Sequence, residues 1–412
     1  MKKIICILAD AFKDTYIEQY NLRFLENKLK EEKGIYYIKK IYPSTGFCEI
    51  VEYVTGKVAE ENGYLAQVAF KEKWYKNVNK ANFKFYLIEK IENVILKIPK
   101  FRNFYCKKLQ KILDHYLVKY FSEEIVRIRY KIPITLLPYL KATESAIEYD
   151  NYNFGKKNNL FYQLKKLKKT YDLEDFVKFN KIKGSDRERL ENLKNKIKNK
   201  NLKDFTLIYI GYGELAHFYT TSSEKLQHEL LKFDKEIENI VRLLKENYKD
   251  YEIMILGDHG MVNVNNYINI YPIIRKISKK FKIKNKKDFI YFLDSTLLRI
   301  SLKDKGLIDK ISIFLKNELE GKYEEKMDSY FTNFGSEYGD IKILLKAGNV
   351  FFPDFFNSKK IKGMHGYNSL EKEQSGIFVS LSSDKNDKII KENERLSYIN
   401  KYILERFQNK NE

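Results

Sequence analysis

Three of the five histidines stand beside glycine or a carboxylate. His217 closes Gly213-Glu214-Leu215-Ala216-His217, His259 lies in Asp258-His259-Gly260-Met261, and His365 lies in Gly363-Met364-His365-Gly366-Tyr367. Imidazole combined with carboxylate suits zinc or another borderline divalent cation, and glycine neighbours let a ligand approach the backbone. A lone histidine is more often a satisfied structural residue. Three of them in predicted loops at strand ends, joined by Asp10 and Asp258 at two more ends, point instead to a metal centre. His115 and His228 fall within helical patterns and read as structural or surface residues.

The elements that must hold these side chains follow from the apolar periodicity. Residues 3–9 form a short apolar run ending in Asp10, with a helical pattern over 15–33. A second strand is expected over 36–42. Pro43-Ser44-Thr45-Gly46 then breaks the pattern, and a helix starts over 47–54 with Thr45 near its N-terminus and Gly56 at its end. Two more buried strands, 205–210 and 252–256, run into Gly211 and Gly257, and 223–247 between them is a long amphipathic helix. Strands alternating with helices, with polar residues at strand C-terminal ends, describe an open α/β sheet that binds ligands at its carboxyl edge. Residues 71–137 differ, being helical in period, rich in Lys and Tyr and free of Gly, as an inserted cap would be. Residues 289–345 return to mixed strands and helix, a small α+β element. The expected organisation is a catalytic core over 1–70, 151–288 and 346–412, a basic helical cap over 71–150, and the small element over 289–345.

The chain has 412 residues, 43% hydrophobic and 15% aromatic, which excludes a disordered chain. Its net charge is +21, and +17 of it lies in residues 71–200, while residues 1–70 hold 10 basic and 10 acidic side chains. A basic region suits an anionic partner such as nucleic acid, an anionic membrane surface or a phosphorylated polymer. A Lys-rich coding bias accounts for it equally well, and there is no specific nucleic-acid motif. Three widely spaced cysteines (Cys6, Cys48, Cys106) exclude a disulfide framework and fit a reducing compartment. Met1-Lys2-Lys3 and the apolar run after it mimic a signal peptide, but Asp10 cuts the run at six residues. No stretch is apolar enough to span a bilayer. The expectation is a cytoplasmic protein, at most peripheral at a membrane. Phe83 to Phe121 interleaves aromatic, aliphatic and basic residues, reading either as an interfacial helix pair on anionic lipid or as core on one face with solvated Lys on the other.

Five pieces of sequence, in order, resemble the alkaline phosphatase superfamily, and most closely its type I phosphodiesterase/nucleotide pyrophosphatase branch. They are Ala9-Asp10-Ala11-Phe12, the block from Tyr42-Pro43-Ser44-Thr45 to Val54-Thr55-Gly56, Asp258-His259-Gly260-Met261, Gly339-Asp340-Ile341 and His365-Gly366-Tyr367. The resemblance implies an alkaline-phosphatase-like α/β sandwich, its central mostly parallel sheet flanked by helices. It also implies two divalent metal ions, normally zinc, beside a Ser or Thr nucleophile at a helix N-terminus. Carried over by position, Asp10, Asp258 and His259 would hold one ion. His217 and His365, with a carboxylate just before His217, would hold the other. A phosphoenzyme would form and be released by water.

Two departures stand out. The family's usual nucleophile position, nine residues before Thr55, is Gly46 here, so Thr45 is the expected nucleophile, with Ser44 and Cys48 as alternatives. Where the family has Asp, four residues before His217, this chain has Gly213, leaving Glu214 as the available ligand. Glu49, one turn after Thr45, reads either as a substrate contact or as an ordinary first-turn carboxylate, and Asp294 either as a substrate contact or as a cap or turn residue, as does Asp340. The sequence thus points to a metal-dependent phosphoric ester hydrolase, a phosphodiesterase or pyrophosphatase, acting on an anionic, lipid- or polymer-linked substrate. The alternatives are a phosphotransferase of envelope polysaccharide assembly, and a degenerate, non-catalytic member that binds membrane or nucleic acid through its basic region.

Overall fold

The computed structural model describes all residues except 1, 32, 77–82, 98–109, 130–131, 145–146, 152–153, 174–184, 386–387 and 409–412. Ten strands carry the two main sheets: β1 (Lys3–Ala9), β2 (Ile35–Tyr42), β3 (Tyr171–Leu173), β4 (Phe205–Ile210), β5 (Tyr251–Leu256), β6 (Phe289–Leu293), β7 (Leu297–Leu302), β8 (Ile341–Leu344), β9 (Gly376–Ser382) and β10 (Ile389–Arg395). The chain divides into one unit of residues 1–64, 147–265 and 361–412 and a second of residues 65–146 and 266–360.

The first unit is built on a seven-stranded sheet of order β10-β2-β9-β5-β1-β4-β3. All neighbours are parallel except β9, which runs antiparallel to both β2 and β5. β1, β4 and β5 are buried on both faces, which is why they read as unbroken apolar runs. Alternation along β1 sends Ile5, Ile7 and Ala9 into the core on one face, with the helix Glu224–Asn247, and Ile4, Cys6 and Leu8 into the core on the other. The edge strand β10 is largely exposed and carries Lys391, Glu392, Glu394 and Arg395, charges that discourage edge pairing. The expected helix over 15–33 is two helices, Thr15–Gln19 and Arg23–Lys30, because Asn21 between them takes a positive φ of 53°.

The second unit holds the antiparallel sheet β6-β7-β8. Here the structure gathers what the sequence reading separates. Phe85, Leu117 and Ile125 share one buried cluster with Phe289, Ile300 and Ile343, so the basic helices and the α+β element form a common core. Arg129, fully buried, bridges Glu92 and Asp114. Within the basic stretch, Lys111 is exposed. Among the described residues no helix is long and apolar enough to cross a membrane.

Candidate functional site

β1, β4 and β5 end side by side, at Ala9, Ile210 and Leu256, so the residues just beyond them share one edge of the sheet. Asp10 follows β1, and Asp258-His259 follow β5. Asp10, Asp258 and His259 each offer a ligand atom within 4.8 Å of the others, and a second group of the same size is made by Glu49, His259 and His365. His259 Nε2 lies 3.4 Å from Asp10 Oδ1, 3.9 Å from Asp258 Oδ1 and 4.0 Å from Glu49 Oε1. The His259 and His365 rings stack at 3.9 Å, and the His217 ring is 5.4 Å from that of His365.

Backbone groups fix the orientation of these side chains. The Asp258 carboxylate accepts from the amides of Ala11 and His259, and Tyr209 donates to Asp10 Oδ2 at 2.5 Å. Each histidine turns Nδ1 to a carbonyl oxygen: His217 to Gly363, His259 to Gly260 and His365 to Gly46, at 2.8, 2.8 and 3.0 Å. A ring that donates from Nδ1 keeps the Nε2 lone pair for a cation.

The electrostatics divide the carboxylates. Two charges within 4.8 Å repel by about 3 kcal/mol at an effective dielectric near 20. Against the upward push of burial, His259 and the Tyr209 hydroxyl hold Asp10 well below the usual carboxylate range. Burial, with repulsion from Asp10 and Glu49, pushes Asp258 up to about 8. Glu214 is exposed as a residue, yet its carboxyl end is desolvated and faces Asp10, which also brings it to about 8. Burial and the neighbouring His365 lower His217 to about 4, leaving a neutral imidazole. Although buried, His259 is raised well above its ordinary value by Asp258, Asp10 and Glu49. A divalent cation would relieve this crowding of acids, and Glu49 Oε1, buried with no hydrogen-bond partner, could serve as a ligand atom for it. The donor set of carboxylate and imidazole fits zinc or a similar ion.

The expected ligands Asp10, Asp258, His259 and His365 are therefore brought together. Glu214 and His217 flank the cluster without entering either three-residue group among the described residues. Gly213 is closed to any side chain, because a Cβ there would lie 2.0 Å from Asp10 O. Glu49, read as a substrate contact or a first-turn carboxylate, stands among the residues whose ligand atoms lie close enough to share an ion. The expected nucleophile Thr45 is buried, and its Oγ1 accepts from Phe47 N at 3.3 Å, with no hydrogen bond to the cluster. Its Ser44 neighbour accepts from Ala59 N and lies against Glu52, and Cys48 is packed in the apolar core. Asp294 belongs to the second unit, in the β6–β7 turn, where buried Arg299 holds its carboxylate at 3.0 Å. Asp340 likewise caps Leu302 N and pairs with Lys305. Tyr209 and Glu52 escape a sequence reading because one sits in an apolar strand and the other in a short helix whose polar residues give no sign that all of it is buried.

The family model for type I phosphodiesterase / nucleotide pyrophosphatase matches residues 4–368. No individual curated protein is matched by the sequence. Among solved structures, murine ectonucleotide pyrophosphatase/phosphodiesterase 5, as an inactive Thr-to-Ala variant in complex with AMP, is similar with a TM-score of 0.65 at 13% identity, covering 99% of this chain and 95% of that one. The human counterpart gives a TM-score of 0.64 at 13% identity over the same shares. At such identity these structures carry the fold, which is the α/β architecture with a central mostly parallel sheet described above. With its family motifs in order and the family model spanning most of its length, the chain belongs to the type I phosphodiesterase / nucleotide pyrophosphatase family and is a phosphodiesterase/phosphatase-type hydrolase.

Proposed function

We propose that this protein hydrolyses a phosphodiester or pyrophosphate with two divalent metal ions, zinc by the donor set, at the carboxyl edge of its main sheet. The observation that carries the reading is the pair of overlapping ligand groups sharing His259. One Nε2 lone pair serves one ion, so Asp10, Asp258 and His259 make one set. Glu49 and His365, with His217 beside them, remain for the other. Bound ions would neutralise the phosphoryl oxygens and stabilise the leaving group. The chain's own residues hold the geometry: Tyr209 orients Asp10, and the amides of Ala11 and His259 orient Asp258. That the murine relative binds AMP supports a nucleotide-like or other phosphate-ester substrate for this chain as well.

The test is metal content measured together with turnover of bis-p-nitrophenyl phosphate. The expected result is two zinc ions per chain and hydrolysis, with both reduced in Asp258→Ala. A folded protein with one ion or none and no turnover would favour a binding scaffold.

A partner reading rests on the second unit. The helix Phe83–Lys97 exposes Leu87, Ile91 and Val94 along one stripe beside Lys84 and Lys90. An apolar stripe flanked by Lys suits an anionic lipid surface, and with it a lipid-linked phosphate substrate. Co-sedimentation with phosphatidylglycerol vesicles, weakened by Leu87→Glu, is the expected outcome; sedimentation no greater than with phosphatidylcholine would reject it.

A further inference from the structure

Two of the histidines at the site depend on the segment from Lys362 to Tyr367. His365 belongs to it, His217 Nδ1 turns to its Gly363 carbonyl at 2.8 Å, and Lys362 N donates to His217 O at 2.7 Å. Its far end is held by Gln374, whose side-chain Oε1 accepts from Tyr367 N at 3.0 Å. The main-chain carbonyl of the same residue accepts from Gly260 N at 2.9 Å, one residue past His259. Gln374 thus ties together the loops that carry His259 and His365, whose rings stack at 3.9 Å. The packing around it is close. A Cβ on Gly260 would lie 2.1 Å from Glu373 O, and buried Lys13, three residues past Asp10, pairs with the Glu373 carboxylate.

The two ties differ in what they ask of the sequence. Any residue at 374 offers a main-chain carbonyl to Gly260, but the tie to Tyr367 needs a side-chain acceptor of this length. Gln374 is 2% exposed and its Nε2 has no hydrogen-bond partner. A buried amide with half of its hydrogen bonding unmet is costly, and an apolar side chain would avoid that cost. What the amide supplies in return is the acceptor for Tyr367 N. Resting on the two-ion reading above, we propose that Gln374 is a positioning residue for the second ion. It fixes the segment that presents His365, and through Gly363 His217, alongside Glu49. The set of Asp10, Asp258 and His259 does not depend on its side chain, because Gly260 is tied by the main chain. Residues that orient metal ligands act on affinity by removing the slack that binding would otherwise have to order.

The experiment is a zinc titration of chelator-stripped protein against a competing chromophoric chelator, for the parent, Gln374→Leu and Gln374→Glu. The parent is expected to bind two ions. In Gln374→Leu one ion should bind as in the parent and the other about 10- to 100-fold more weakly. Gln374→Glu keeps an acceptor at this position and should bind both ions like the parent. Equal weakening of both ions in Gln374→Leu is what a merely structural role would give, and it would overturn the proposal. So would parental affinity for both ions in Gln374→Leu, or loss of the second ion in Gln374→Glu. Gln374→Met, with the same expectation, replaces the leucine variant if that does not fold. A parent that binds fewer than two ions refutes the two-ion reading, and the ring tautomers of the metal-free proteins, read by nitrogen-15 NMR, then decide the role of Gln374. Gln374→Leu should lower the Nδ1-protonated share of His365 and leave that of His259 unchanged; identical shares in parent and variant would overturn the positioning role.

Discussion

At the scale of single residues, the site is a set of acids whose charges conflict until a cation arrives. Asp258 and Glu214 sit at about 8 because burial and Asp10 oppose their ionisation. A carboxyl whose folded value lies above its unfolded value, near ~4, keeps a proton on folding that the unfolded chain has lost. Its contribution to stability therefore falls as pH rises from about 4 to 8. The metal-free protein should accordingly melt at a lower temperature at pH 8 than at pH 5.5, and zinc should reverse the order, since binding requires these groups deprotonated. Calorimetry with and without chelator checks both signs. Glu52 gives an independent case outside the cluster, raised to about 8 by burial while it accepts from Ser44 N at 2.6 Å. Glu52→Gln should gain stability relative to the parent as pH rises through this window, measured by urea melts at pH 5.5 and 8. Tyr209→Phe removes the hydrogen bond that orients Asp10. It should weaken metal binding by about 10- to 100-fold, the usual effect of losing such a supporting contact, in a competitive zinc titration.

At the scale of elements, the apolar runs fix where the ligands stand, because β1, β4 and β5 each end next to a residue of the cluster or its support. Those strands were legible in the sequence almost to the residue, since burial on both faces leaves an unbroken hydrophobic signal. So were Asp10, Asp258, His259 and His365, which follow such runs or lie between glycines. The turn at 43–48 was not legible. Whether Thr45 or Gly46 faces the cluster depends on backbone angles that a Ser-Thr-Gly-Phe string leaves open, and Glu49 changes from a helix-start carboxylate to a potential ligand with that turn. Tyr209 was hidden because alternation along β4 gives it the same apolar appearance as Leu207, its neighbour on that face. The turn makes a prediction of its own. Gly46→Ser should cost about 1–2 kcal/mol, the penalty of a left-handed conformation for an L residue, plus the crowding against Gly366. Chemical denaturation of that variant reads the loss directly.

At the scale of the whole molecule, most of the charge of +21, the +17 of residues 71–200, lies in a different stretch of chain from the ligand cluster. The cluster is assembled entirely by the first unit, Asp10 and Glu49 from a first stretch whose basic and acidic residues balance and Asp258, His259 and His365 from later segments. The second unit has a core and buried ion pairs of its own, with Arg129 set between Glu92 and Asp114. The two-unit division was only partly legible, because the helical stretch and the α+β element are separated in sequence by more than a hundred residues of the first unit and share a core only in three dimensions. The central claim is that residues of the first unit bind divalent metal to cleave a phosphodiester. It is tested most directly by the rate of bis-p-nitrophenyl phosphate hydrolysis as zinc is titrated into chelator-stripped protein. No turnover is expected without metal, with a rise to a plateau as zinc reaches two equivalents per chain. Turnover that survives complete stripping, or none at any zinc level in a folded protein, would contradict it.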